Sequence, residues 1–361
     1  MTQHICIFTG ARPNFVKVAP LIRAISQSEN CDYRLVYAGR ADDPTLESTL
    51  FSDLEMPRPD VFLGVDCENL NELTGLVMAE FERYLERNPT DTVIVVDDLA
   101  STMAAAIVAK KRGLRLAHLV AGTRSFDISM PKEINRLVID GLSDLLFTAG
   151  IGSSSIATRE GADMHKIYMV GNILMDSLRH NRQRWQRPDC LDGIADGSYL
   201  VLTVNRRALL ADADHLGRLL QAVSEAAGSV PVIAPLRPLA AGLVSRLVAA
   251  AEPSPIRVVP AQDYLHFGYL TAHARGLITD SGNVAEEATF NGVPCITLNS
   301  YTEHQETVKQ GTNRLVGEDP DRLRQSLADL LGGQWPKGTL PDRWDGRTAE
   351  RIVRILQESQ V

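Results

Sequence analysis

Cysteine is scarce and its pattern carries no message: Cys6, Cys31, Cys67, Cys190 and Cys295 are an odd number at unrelated spacings. With no CxxC pair and no Cys/His array, neither a disulfide framework nor a metal site is expected, and a reduced, cytoplasmic protein is. Long apolar runs are missing too. No stretch approaches the ~20 residues that span a bilayer, and MTQHICIFTGARP has neither the basic region nor the long apolar core of a secretion signal. Positive charge is in deficit. The 45 acidic against 37 basic residues leave a formal charge of −8, which disfavours nucleic acid and membrane as partners and makes any anion site local. Short repeats and low-complexity tracts are also lacking, so function must reside in loop residues on a globular scaffold.

What is there is an α/β pattern. A chain of 361 residues exceeds the roughly 250–300 at which one core stops growing, so two domains are expected. Short β-branched runs at 5–8, 93–96, 116–120, 145–147 and 167–170 alternate with helical stripes, of which Val18, Leu21, Ile22 and Ile25 form the first. Fully apolar strands separated by helices predict a parallel sheet buried on both faces. The stretch from Asp176 to Ser198, rich in Arg, Asp, Gly and Pro, reads as a linker, and a second series follows at 199–204, 230–234, 256–259, 276–279 and 294–298. The expectation is two doubly wound parallel-sheet domains, 1–178 and 179–344, facing a cleft, with a helix in 345–361 packing back on the first. Ligands of such sheets bind beyond the carboxyl ends of the strands.

The loops there hold the chemistry. Arg12 and Lys17 flank the start of the first helix, a place suited to diphosphate or to a solvated turn. Asp97 and Asp98 end a strand, where one can cap the next helix while Asp98 faces ligand. The loop HLVAGTRSFDISMPKEINR is crowded with ionisable groups, among them His118, Arg124, Asp127, Lys132, Glu133, Asn135 and Arg136. In the second half, TVNRR places Asn205, Arg206 and Arg207 at a strand end as phosphate clamps or a basic turn. TDSGN places Ser281, Gly282 and Asn283 at a helix N-terminus suited to phosphate, with Glu287 able to accept both hydroxyls of a ribose. Asn283 and Glu286 fit a capping box by spacing.

These segments, with VGNILMDSL, TEHQE and GTNRLVG, resemble in order and spacing the non-hydrolysing UDP-N-acetylglucosamine 2-epimerases over almost the whole chain. The resemblance implies the GT-B architecture, with two Rossmann-like domains, and a homodimer; no metal or other cofactor is expected, since the cations and amides can neutralise diphosphate and Asp97 and Asp98 are adjacent, with no intervening residue. The resemblance also implies that Arg12 and Lys17 lie near the diphosphate or the cleft, Arg206 near phosphate, Ser281 and Gly282 against the diphosphate, and Glu287 on the ribose. The family's cleft aspartate falls on Asp98.

Three acid/base positions depart from the family. Val120 stands for the glutamate of VEAGLR, Lys132 for the first glutamate of PEEINR, and Asn205 for the histidine of HRREN. Valine and asparagine cannot shuttle a proton at neutral pH. The leading expectation is therefore a glycosyltransferase that binds a UDP- or GDP-sugar and passes the sugar to a small-molecule acceptor, such as a thiol in antibiotic biosynthesis. In that reading Asp98 or Glu133 orients the acceptor, within a catalytic set of Asp98, Glu133, Arg124, Lys132 and Asn205. The alternatives are a divergent 2-epimerase using Lys132, Asp98 or Glu133 as bases, and a noncatalytic nucleotide-sugar-binding protein.

Overall fold

The computed structural model describes residues 2–47, 49–250 and 253–358. Residues 1, 48, 251–252 and 359–361, which fall within the expected domains and last helix, lie outside the described residues. The chain forms two compact units, Met1–His180 with Asp342–Val361, and Asn181–Pro341.

The first unit runs β1 (Gln3–Thr9), α1 (Arg12–Ser26), β2 (Cys31–Tyr37), α2 (Leu50–Asp53), β3 (Val61–Phe62), α3 (Leu70–Arg87) and β4 (Thr92–Val96). It continues with α4 (Ala100–Lys111), β5 (Arg115–Ala121), α5 (Pro131–Leu142), β6 (Leu145–Thr148), α6 (Ile151–Arg159), β7 (Ile167–Met169) and α7 (Ile173–Asn181). Its seven strands are parallel in the order β3-β2-β1-β4-β5-β6-β7. β4, TVIVV, is buried at every position, as a central strand covered by helices on both faces must be.

The second unit comprises β8 (Leu200–Thr203), α8 (Arg207–Ala211), α9 (Ala213–Ala227), β9 (Val232–Leu236), α10 (Pro238–Ala250), β10 (Ile256–Pro260) and α11 (Tyr264–Ala272). Then come β11 (Gly276–Thr279), α12 (Gly282–Asn291), β12 (Cys295–Thr297), α13 (Glu306–Lys309), β13 (Asn313–Leu315) and α14 (Pro320–Leu331). Its six parallel strands are ordered β10-β9-β8-β11-β12-β13.

In each sheet the order reverses beside the first strand, between β1 and β4 and between β8 and β11. Connections diverge there to opposite faces, which leaves an opening at the carboxyl ends of the two strands, the switch point where open α/β sheets bind ligands. The loops GARPN and DD flank the first opening; NRR and DSGN flank the second.

The chain returns to the first unit through α15 (Thr348–Glu358). Ala349, Ile352, Val353 and Leu356 recur on one helical stripe and are buried, and Trp344, buried just before them, donates Nε1–H to the Ala149 carbonyl. The segment read as a linker is helical at its start, because α7 extends to Asn181 and Asp176 is buried within it.

Candidate functional site

At the first switch point the turn after β1 is closed by Asn14, whose Oδ1 accepts from the Gly10 and Ala11 amides at 2.9 and 3.1 Å. The turn passes so close to α4 that a Cβ on Gly10 would lie 2.1 Å from Ser101 Oγ. The Asn14 Nδ2–H donates to Asp97 Oδ2 at 2.7 Å, and Lys17 Nζ lies 2.5 Å from Asp97 Oδ1. Both side chains of this ion pair are largely buried, so Lys17, expected near diphosphate, neutralises Asp97 instead. Arg12 pairs through Nε with the half-exposed Glu47 at 2.6 Å.

Neither aspartate caps α4. Its N-cap is Leu99, without a side-chain bond. Asp98 turns toward α5: Oδ2 receives Arg136 Nε at 2.9 Å and Nη2 at 2.6 Å, and Oδ1 lies 3.5 Å from Lys132 Nζ. Burial pushes the Asp98 carboxyl up, but the charges of Lys132, Arg136 and Lys17 outweigh it and hold the group below the usual carboxylate range. Lys132, 58% exposed beside a 13% exposed Asp98, is the solvent-facing member of the pair.

Two expected catalytic residues have other tasks. Glu133 sits at the third position of α5 and reaches back over the preceding loop. Its Oε2 accepts from the Ser125 amide and hydroxyl, both 2.9 Å, and from Arg136 Nη1 at 3.2 Å, while Oε1 accepts from the Phe126 amide. Burial is outweighed by these donors, which lower its pKa and consume its lone pairs. Arg124 is buried against Asp140 Oδ2 at 2.7 Å and forks onto Glu160 at 3.0 and 2.5 Å. Glu133 therefore shapes the loop and Arg124 ties it down; neither is free to handle substrate.

Val120 occupies a β-bulge with φ +75°, a conformation costly for a β-branched residue and characteristic of constrained sites. Asp97, at φ +60°, is of a residue type that enters this region more readily.

At the second switch point Asp280 Oδ2 accepts the Asn205 and Arg206 amides, both at 2.7 Å, which fixes the NRR turn against β11. The Asn205 side chain is exposed. The Arg206 guanidinium pairs through Nη2 with Glu318, while its buried Nε–H has no partner among the described residues. The helix α12 begins at Gly282 with Ser281 as N-cap, so Asn283 lies inside it and the expected Asn283/Glu286 capping box does not form. Glu286 faces His304 at 3.6 Å instead. A Cβ on Gly282 would meet nothing within 4 Å, so this helix N-terminus is open to a ligand. Glu287, half-buried, makes no hydrogen bond or ion pair among the described residues; burial, and then Glu286, pushes its carboxyl up to about 8.

Among the described residues no group of three or more His, Cys, Asp or Glu side chains is arranged to hold a metal ion. No helix there is long and apolar enough to cross a membrane. Sequence reasoning passed over Asn14 and Asp140, and gave Asp97 only a capping role. Asn14 had a detectable cue, an amide at the third position of a helix opening with Arg-Pro, from which it can reach back to the turn.

The model of the UDP-N-acetylglucosamine 2-epimerase family matches residues 23–357. The UDP-N-acetylglucosamine 2-epimerase of Methanocaldococcus jannaschii is 31% identical over 98% of this chain and 99% of its own. Its crystal structure in complex with UDP-GlcNAc and UDP superposes with a TM-score of 0.85, covering 99% of this chain and 100% of that one. The UDP-2,3-diacetamido-2,3-dideoxy-D-glucuronate 2-epimerase of Pseudomonas aeruginosa is 32% identical over 91% of this chain and 93% of its own. The glycosyltransferase VinC in complex with dTDP, at 14% identity and a TM-score of 0.53, shares the fold alone. With its two Rossmann-like sheets of GT-B class and this likeness along its length, the chain belongs to the UDP-N-acetylglucosamine 2-epimerase family.

Proposed function

We propose that the protein is a UDP-sugar 2-epimerase acting on a 2-acetamido sugar, with Asp98 and Lys132 as its proton-transfer pair. The observation that carries this reading is that pair at the first unit's switch point, in a chain alike from end to end to 2-epimerases of UDP-amino sugars. Arg136 occupies Oδ2 and leaves Oδ1 toward Lys132, so Asp98 is ionised at neutral pH and directed. UDP recognition falls to the second unit, where the unpartnered Arg206 Nε–H, the open N-terminus of α12 and Glu287 meet phosphate and ribose.

Asp98 takes the C2 proton while the C2–H electrons form a C1=C2 double bond and the C1–O electrons leave with UDP. Stabilising that departing charge is the electrostatic task of the cation and amides. Because Lys132 lies 3.5 Å from Asp98 and so on the same side of the sugar, the glycal turns its other face to the pair before Lys132 returns a proton to C2, and a UDP oxygen closes the bond to C1. A proton then passes from Asp98 to Lys132 and resets the pair. Of the three replacement bases expected, the geometry removes Glu133, whose oxygens are engaged.

The second reading is glycosyl transfer to an external acceptor, favoured by Val120 and Asn205, which stand where the family resemblance places proton carriers. Incubation with UDP-N-acetylglucosamine in deuterated water separates the readings. The expected result is deuterium at C2 and formation of the 2-epimer, reduced about 100-fold or more by Asp98→Asn with nucleotide affinity within about threefold. Nucleotide binding without deuterium overturns the epimerase reading; UDP release only on addition of an acceptor establishes transfer, and binding with neither outcome leaves a sugar-nucleotide receptor.

A further inference from the structure

We infer that Asp140, which lies on α5 away from the reacting groups, is the positioning residue that holds both strained strand ends of the first unit's site. Its carboxylate is buried, and its oxygens act on two strand ends: Oδ1 on the end of β4 through His118 of β5, Oδ2 on the turn after β5. Oδ1 meets His118 Nδ1 at 2.6 Å, and the other ring nitrogen, Nε2, lies 2.9 Å from the Asp97 carbonyl. Asp97 is the positive-φ residue after β4 whose peptide leads directly into Asp98. Oδ2 accepts the Gly122 amide at 3.1 Å and lies 2.7 Å from Arg124 Nη1. Those contacts fix the turn after β5, where Val120 and Gly122 both have positive φ and a Cβ on Gly122 would lie 2.3 Å from the Ser153 carbonyl oxygen.

Strained backbone persists only where its surroundings over-determine it. Here one carboxylate supplies the constraint to both turns, through the imidazole on one side and through an amide and a guanidinium on the other. Glu160 completes the arrangement by gripping the far edge of Arg124. His118 relays a position, with both ring nitrogens facing oxygen acceptors. The sequence alone left His118 and Arg124 as candidates for direct chemistry; their burial at about 1% side-chain exposure puts them behind the site.

The consequence for turnover rests on the reading of Asp98 as a proton-transfer residue; the consequence for the backbone does not. Hydrogen–deuterium exchange of the full chain, followed by mass spectrometry, reads the backbone. Asp140→Asn and His118→Leu are expected to speed exchange about tenfold in the peptides spanning Val96–Asp98 and Val120–Arg124, with the second unit unchanged. His118→Gln, which can restore a donor to the Asp97 carbonyl, is expected to recover protection in the first peptide alone. The deuterium-incorporation assay then reads the chemistry: kcat should fall about 10- to 100-fold in the first two variants with KM within about threefold, and His118→Gln should recover part of it. Unchanged protection in a folded Asp140→Asn protein overturns the inference, and the His118 pair decides it if that variant does not fold. A wild-type protein without C2 exchange defeats the epimerase reading and leaves the backbone result standing.

Discussion

At the scale of single residues, Glu287 is a buried carboxyl that makes no hydrogen bond or ion pair among the described residues. Its carboxyl, raised to about 8 by desolvation and Glu286, binds a proton in the folded protein at pH values where the unfolded chain has released it. The associated stability is present below the ordinary glutamate range and lost as pH rises through about 8. A ribose whose two hydroxyls donate to the ionised carboxylate is expected to bind more tightly as pH rises from 7 to 9, with release of a proton on binding. Glu287→Gln should flatten that profile and weaken UDP about tenfold at pH 9, measured by calorimetry in buffers of different ionisation enthalpy. That Glu287, Arg206 and Asp98 lie beside strand ends and helix starts was legible, because those boundaries can be read from local pattern. The sequence could not assign Glu133 or Arg124, since a loop of alternating charges does not state which carboxylate each donor meets. That choice is made by α5, whose third and tenth residues, Glu133 and Asp140, fold back over the loop.

Among the elements, α15 is tied down by one carboxylate. Asp176, buried on α7, accepts the Thr348 and Ala349 amides at 3.0 and 2.8 Å at the start of α15. Those donors favour the charged form, but burial outweighs them and pushes the carboxyl up to about 6. Its folded-state pKa lies above the unfolded value, so the protonated form's extra stability is present below about pH 4 and lost as pH passes about 6. Relative to Asp176→Asn, the wild-type protein is expected to lose stability on the order of 2 kcal/mol between pH 4 and 7, read by urea unfolding at each pH. Asp176→Ala, which removes both acceptors, should cost about 1–2 kcal/mol at pH 5. Elements with one clean periodicity were legible: β4 and β11 appear within a residue of where their apolar runs place them. β2 went unread because Asp32 and Arg34 interrupt CDYRLVY at its exposed end, and β9 lies two residues later than its apolar run implied. The later part of α7, from Asp176 on, looked like linker because the polar Asp176 faces inward to α15, a contact about 170 residues distant in sequence.

For the whole molecule, length and the repeated strand–helix series announced two α/β units, yet not that they differ in how the chain builds them. The second is one continuous run, Asn181–Pro341, whereas the first also takes in the segment from Asp342, whose α15 packs on α1. The core of the second unit is assembled from its own strands and helices, with Leu202, Val223, Ile278 and Leu327 packed in one cluster, and a run of about 160 residues is large enough to fold alone. The first unit, cut before Asp342, would lose Trp344 and the buried stripe of α15, exposing the apolar face of α1 beneath α15. Residues 181–341 expressed alone are therefore expected to unfold cooperatively and to bind UDP through Arg206 and Glu287. Truncation at Pro341 should abolish or sharply lower the first unit's thermal transition and leave the second unit's within a few degrees. Differential scanning calorimetry of the two truncations and the full chain checks this. A single transition lost altogether on removing the last 20 residues would show that the second unit does not hold its own core, and UDP recognition could not then be assigned to it alone.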